Sequence, residues 1–190
     1  MRLLSESINS VIRTLVVVSG IYFLTAVVTF KLLMPMQVRF LGELPYAISL
    51  LFFPHSVRIL SAYFLGGLSV LYLFPISLLF VTQMKSSDLS MLGMLLLAGL
   101  ISSVGYLGIR VAFLFKKFFT PSMPERKDWI FILIAGAIAS ILNALGHMII
   151  LGIEGNVLVG YFIGDMSGLF FSLIFLIYMF RILERCRSTS

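Results

Sequence analysis

The chain has 190 residues, of which 60% are hydrophobic and only 12% charged, with a mean hydropathy of +1.10. An ordinary soluble domain carries about 25% charged residues, so this composition excludes a soluble globular protein and defines an integral membrane protein. The formal net charge of +6 comes without a basic groove bearing stacking aromatics, so membrane lipids, not nucleic acid, are the expected surface partner.

The length accommodates six crossings of about 20 residues each and leaves no room for a soluble catalytic or output domain. The expected fold class is therefore all-α: one polytopic helical bundle with six transmembrane segments, the second short and broken by proline. The first apolar run, Thr14 to Met34, follows Arg2 and Arg13. It is too long for the apolar region of a signal peptide and lacks a small-x-small cleavage site, which makes it a retained helix.

The second stretch, Leu41 to Val57, is interrupted by Glu43, Pro45, Pro54 and His55 around a short apolar core, Tyr46 to Phe53. That core does not span a ~30 Å hydrocarbon layer as a helix, and each proline removes a backbone donor. It is either a short broken crossing or a re-entrant loop. Irregular backbone at membrane depth is tolerated only where protein or a water-filled cavity satisfies it, so the stretch points to a cavity. The residues after Pro54 begin a helix whose positive end would hold an anion or a carboxylate with Arg58 as partner. The competing reading is a tight cytoplasmic turn whose Arg58 meets lipid phosphate.

Ile59 to Val81 follows, with Pro75 predicting a kink that faces the interior. Met91 to Phe115, Trp129 to Ile153 and Asn156 to Phe180 complete the set. With six spans and both termini cytoplasmic, the inside collects Arg2, Arg13, Arg58, Lys116, Lys117, Arg126, Lys127, Arg181, Arg185 and Arg187. The outside receives Lys31, Arg39 and Lys85, and Arg110 lies within a span. This asymmetry obeys the positive-inside rule and favours a second crossing over a re-entrant loop. The expected location is the inner membrane of a cell, multi-pass.

The last two runs carry a polar constellation. Gly160, Gly164 and Gly168 repeat every four residues, and Asp165 is the one acid in their run. Small residues at this spacing let a second backbone approach closely. The preceding run offers two matching rows, Gly136, Ser140, Ala144 and Ala135, Ala139, Asn143, His147. An antiparallel pairing of the two runs through their small residues is the expected centre, with His147 at the depth of Asp165. Two readings of Asn143, His147 and Asp165 compete: interhelical hydrogen bonds that only hold the pair together, or the lining of a ligand or proton site. Arg110, His55 and Arg58 are further candidates.

Enzyme signatures are missing from the sequence, and with two histidines and the single Cys186 a dedicated metal site is not expected. No cofactor is indicated. Ser167-Gly168 shares two residues with the rhomboid serine motif, but His147 precedes Ser167, the reverse of that order.

The run Phe53-Pro54-His55-Ser56-Val57-Arg58, followed by Leu65-Gly66-Gly67 and Phe74-Pro75, together with Tyr161-Phe162-Ile163-Gly164-Asp165-Met166-Ser167-Gly168, resembles the membrane-sensor domain MASE1. Gly164, Asp165 and Gly168 match the Gly-Asp-x-x-Gly element of that family, and the likeness covers about half the chain. It departs in having fewer than the usual complement of spans and no kinase, cyclase or phosphodiesterase domain. The resemblance implies a sensing or ligand-binding membrane module; the expected function is such a module, non-enzymatic, which without an output domain would pass its state to another membrane subunit. An accessory subunit of a larger membrane complex and a substrate-capturing transporter subunit are the alternatives.

Overall fold

The structure, a computed structural model, describes residues 2–42, 48–83, 89–119, 128–152 and 157–188. All regular structure among the described residues is helical: α1 (Arg2–Val27), a π-helical turn (Val28–Leu33), α2 (Met34–Leu41), α3 (Phe53–Leu65), α4 (Leu68–Gln83), α5 (Met91–Phe119), α6 (Asp128–Leu151) and α7 (Val157–Ser188). Among the described residues, four stretches are long and apolar enough to cross a membrane: Asn9–Leu41, Met91–Phe115, Trp129–Leu151 and Val157–Arg187. Large apolar side chains such as Val16, Leu96, Ile149 and Phe175 are exposed along these helices. That is the outer surface a bilayer requires.

The stretch from 41 to 83 departs from expectation. Residues 48–52 are not helical, α3 begins at Phe53, and Gly66 and Gly67 break the chain before α4. Pro54 in the first turn of α3 accounts for the start, because proline has no N–H to lose there and its fixed φ suits a helix. Gly66, with φ of +59°, ends the helix in a conformation that side-chain-bearing residues rarely adopt. The expected single helix from Ile59 to Val81 is therefore two pieces. Glu43, Pro45 and Tyr46 lie outside the described residues, as do Ile153 and Asn156 at the expected ends of the last two runs.

Helix α3 is the hub of the bundle and packs on α1, α4, α5, α6 and α7. Ile59, Ala62, Val104, Ala135 and Leu169 form one apolar cluster about it, and Tyr22, Leu73, Val81 and Leu97 form a second between α1, α4 and α5. Small residues make these approaches possible. A Cβ added at Gly105 of α5 would collide with the carbonyl of Arg58, and one at Gly108 would collide with Ala135 and Ala139 of α6. The Ala135–Ala139 row thus serves the α5–α6 contact and not the expected α6–α7 pairing.

The glycine ladder of α7 is also reassigned. A Cβ at Gly160 would meet the Ile48 side chain, at Gly164 the Ser49 carbonyl, and at Gly168 the Phe52 backbone. These glycines form a groove for the non-helical chain 48–52, whereas the antiparallel contact with α6 is carried by neighbouring faces. α6 and α7 do pack together, through Ser140 with Asp165 and Gly136 with Leu169, and Ala144 is buried.

Inside a bilayer a non-helical segment must have its backbone groups satisfied by protein. Gln37 of α2 does half of this, donating to the Ile48 carbonyl at 2.7 Å and accepting from the Leu50 N–H at 2.7 Å. Ser167 of α7 donates to the Leu50 carbonyl, the Phe52 N–H donates to the Gly164 carbonyl at 2.9 Å, and Ser49 bonds Leu51. Ser167 is therefore a backbone clasp. Gln37→Leu removes two of these bonds at once, and we expect a loss of about 2 kcal/mol in detergent unfolding from the stranded Leu50 N–H and Ile48 carbonyl.

Pro75 lies inside α4 but is exposed, so it faces outward, contrary to expectation. Ser19 of α1 donates to the Tyr72 carbonyl at 3.0 Å, next to the Leu71 carbonyl whose helical partner the proline lacks.

Candidate functional site

The polar centre is assembled around the start of α3. His55 is fully buried; its Nε2 lies 3.1 Å from the Gly136 carbonyl and its Nδ1 lies 3.4 Å from Asp165 Oδ2. Ser140 donates to the same Asp165 oxygen at 2.8 Å. A carbonyl only accepts, so His55 Nε2 must carry a proton. Nδ1 makes no hydrogen bond among the described residues, so it approaches the carboxylate without a bond of its own.

It is His55, not the expected His147, that meets Asp165. His147 instead donates from Nδ1 to the Asn143 carbonyl at 2.8 Å and packs its ring against Tyr161, with centroids 5.5 Å apart.

Arg58 differs most from the cytoplasmic-turn reading, being 3% exposed. Side chains on a helix tilt toward its N-terminus, so Arg58 folds back along α3 into the bundle instead of reaching a headgroup. Its Nη2 donates to the Tyr22 hydroxyl at 2.9 Å, Nη1 lies 3.5 Å from Asn143 Oδ1, and Nε has no hydrogen-bond partner among the described residues. The guanidinium carbon lies 5.7 Å from the Tyr22 ring centroid and 5.5 Å from that of Phe52. Among the described residues no acid lies within ion-pair distance of it.

These groups border a cavity of about 480 Å³, within the range of small-molecule sites. Arg58, Asn143, His147, Tyr161 and Asp165 supply its polar wall, while Tyr22, Phe30, Phe52 and Phe80 supply aromatic surface. Lys31 and Gln83, both exposed, belong to its border. The π-helical turn contributes Phe30 and Lys31, a helix irregularity of the kind found at functional sites.

Of the expected site residues, the structure brings His55, Arg58, Asn143, His147 and Asp165 together. Arg110 is exposed on α5 and does not border the cavity. Gln37, Tyr22 and Tyr161 were missed. Gln37 had a signal, as an amide within an apolar helix, whereas two tyrosines in aromatic-rich runs had none. Among the described residues there is no cluster of metal-ligating side chains.

Comparison with protein-family models, with curated proteins and with solved structures finds no match to this chain. Fold and site define a helical membrane protein with a polar cavity inside the bundle.

Proposed function

We propose that the protein is a non-enzymatic, six-crossing membrane module of the MASE1-like sensing type that binds a small ligand in this cavity and passes its state to another membrane subunit. The observation that carries the reading is a cavity with a small-molecule volume bordered by buried ionisable side chains from α3, α6 and α7. Ionisable groups in a membrane interior mark functional sites by default.

The chain geometry supports six crossings. The 13 residues of α3 at ~1.5 Å per residue cover about 20 Å, and the non-helical residues 48–52 that lead into it complete a short broken crossing. Helix α4 then returns across the bilayer. With Arg58 removed from the cytoplasmic set, nine basic residues against three still favour cytoplasmic termini in a cell's inner membrane.

Native mass spectrometry of the protein taken directly from its membranes tests the reading. We expect wild type to release a small molecule, and Ala26→Phe, which fills the cavity from α1 without altering a polar group, to carry none. A stoichiometric protein partner without any small molecule would instead establish an accessory subunit.

A further inference from the structure

We infer that the cavity binds a molecule with an oxyanion head, a carboxylate or phosphate, on an apolar tail, and that Arg58 is the residue that grips the head. This rests on the cavity being a ligand site and names its chemistry.

Charge is the first argument. Asp165 accepts from Ser140 and lies 3.4 Å from His55 Nδ1. The guanidinium of Arg58 has no acid within ion-pair distance among the described residues. An isolated cation in an apolar interior is costly unless a charge opposes it. An anionic ligand supplies that charge.

Geometry is the second. Of the donors of a guanidinium, the structure commits Nη2 to Tyr22 and Nη1 weakly to Asn143, while Nε has no partner among the described residues. Nε and an Nη together form the fork that takes a carboxylate or phosphate in a bidentate manner. The Tyr22 hydroxyl bond and the neighbouring Tyr22 and Phe52 rings restrain the guanidinium. Such aromatic support preorganises the group without neutralising it.

The third argument is the interrupted backbone. Helix α3 begins inside the bundle, at Phe53, and Pro54 borders the cavity, so the positive end of a helix adds to Arg58 at the same place. Membrane proteins that bind anionic substrates use broken helices in this way. Exposed Lys31 on the cavity border extends the positive potential outward. Phe30, Phe80, Val81 and Leu151 provide the apolar surface for a tail.

The test uses the full chain in nanodiscs of zwitterionic phosphatidylcholine. Calorimetric binding and unfolding temperature are measured with decanoate, decyl phosphate, decanol, decyltrimethylammonium, acetate and inorganic phosphate. We expect decanoate or decyl phosphate to bind saturably and raise the unfolding temperature, with decanol and the ammonium compound at least tenfold weaker. Acetate or inorganic phosphate matching the decyl anions would support the oxyanion head while assigning its source to a free anion. Arg58→Met should lose at least tenfold in decanoate affinity, and the same variant should unfold at a higher temperature than wild type when both are ligand-free, since it removes an unopposed buried cation. Arg58→Lys, which keeps the charge but not the fork, should bind at intermediate strength.

Decanol binding as tightly as decanoate, or Arg58→Met binding decanoate within twofold of wild type, would overturn the inference. Should decanol or decyltrimethylammonium bind saturably to wild type and be excluded by Ala26→Phe, the cavity would remain a ligand site and only the oxyanion chemistry would fall. If no probe binds and native material carries only a protein partner, both readings fall.

Discussion

Gly164→Ala is expected to destabilise the protein by about 3 kcal/mol, measured by unfolding in detergent, because its new methyl group would occupy the position of the Ser49 carbonyl. That carbonyl belongs to a segment held by Gln37, Ser167 and the Gly164 backbone itself, so it cannot yield without breaking those bonds. Gly168→Ala, which would meet the Phe52 backbone, should behave alike. Gly160→Ala meets the Ile48 side chain, Cδ1 at 2.6 Å and Cγ2 at 2.8 Å, and no backbone; a side chain yields more readily than a held carbonyl, so a smaller loss, of about 1 kcal/mol, is expected. Gly99→Ala, with nothing within 4 Å, should be neutral or stabilising by up to about 1 kcal/mol. A uniform response across these four glycines would contradict the groove.

Asp165→Ala should be equally damaging, by about 3 kcal/mol, because it strands the Ser140 hydroxyl and leaves a void beside His55 in a dry interior. Asp165→Asn should cost far less, since an amide nitrogen at the Oδ2 position can donate both to a neutral His55 Nδ1 and to the Ser140 oxygen. The double-mutant cycle of His55→Phe with Asp165→Leu gives the sharper reading. The pair variant should be more stable than the sum of its single losses predicts, because neither side chain is left facing the other's absence. Strict additivity in that cycle would mean that the two side chains do not meet.

The sequence was most informative where a physical cost was visible. A single acid in an apolar run has to be enclosed, and Asp165 is. Two prolines around a short apolar core forbid an ordinary span, and 48–52 is not helical. The partners of these features are less legible. A ladder of glycines shows that something comes close but not what. Here the occupant is a non-helical chain that lies far from α7 in sequence, and the adjacent helix α6 takes other faces. His55 and His147 are both candidates, and only the depth at which α3 starts decides between them. The same depth decides between the two readings of Arg58: at a surface turn it belongs with headgroups, whereas in the second turn of an interior helix it points back into the cavity. Arg110 shows the converse, being within an apolar run yet on an exposed face.

The position of the chain at 48–52 governs everything else, since it sets where α3 begins and hence where His55 and Arg58 lie. A cryo-electron-microscopy map of the protein in a nanodisc, at a resolution that shows side chains, would test it most directly. We predict a non-helical backbone along Gly160, Gly164 and Gly168, with the Phe52 N–H bonded to the Gly164 carbonyl at about the 2.9 Å found here and Arg58 inside the bundle. A continuous helix through 48–58, with Arg58 at the headgroups and α6 seated in the glycine groove, would contradict the account.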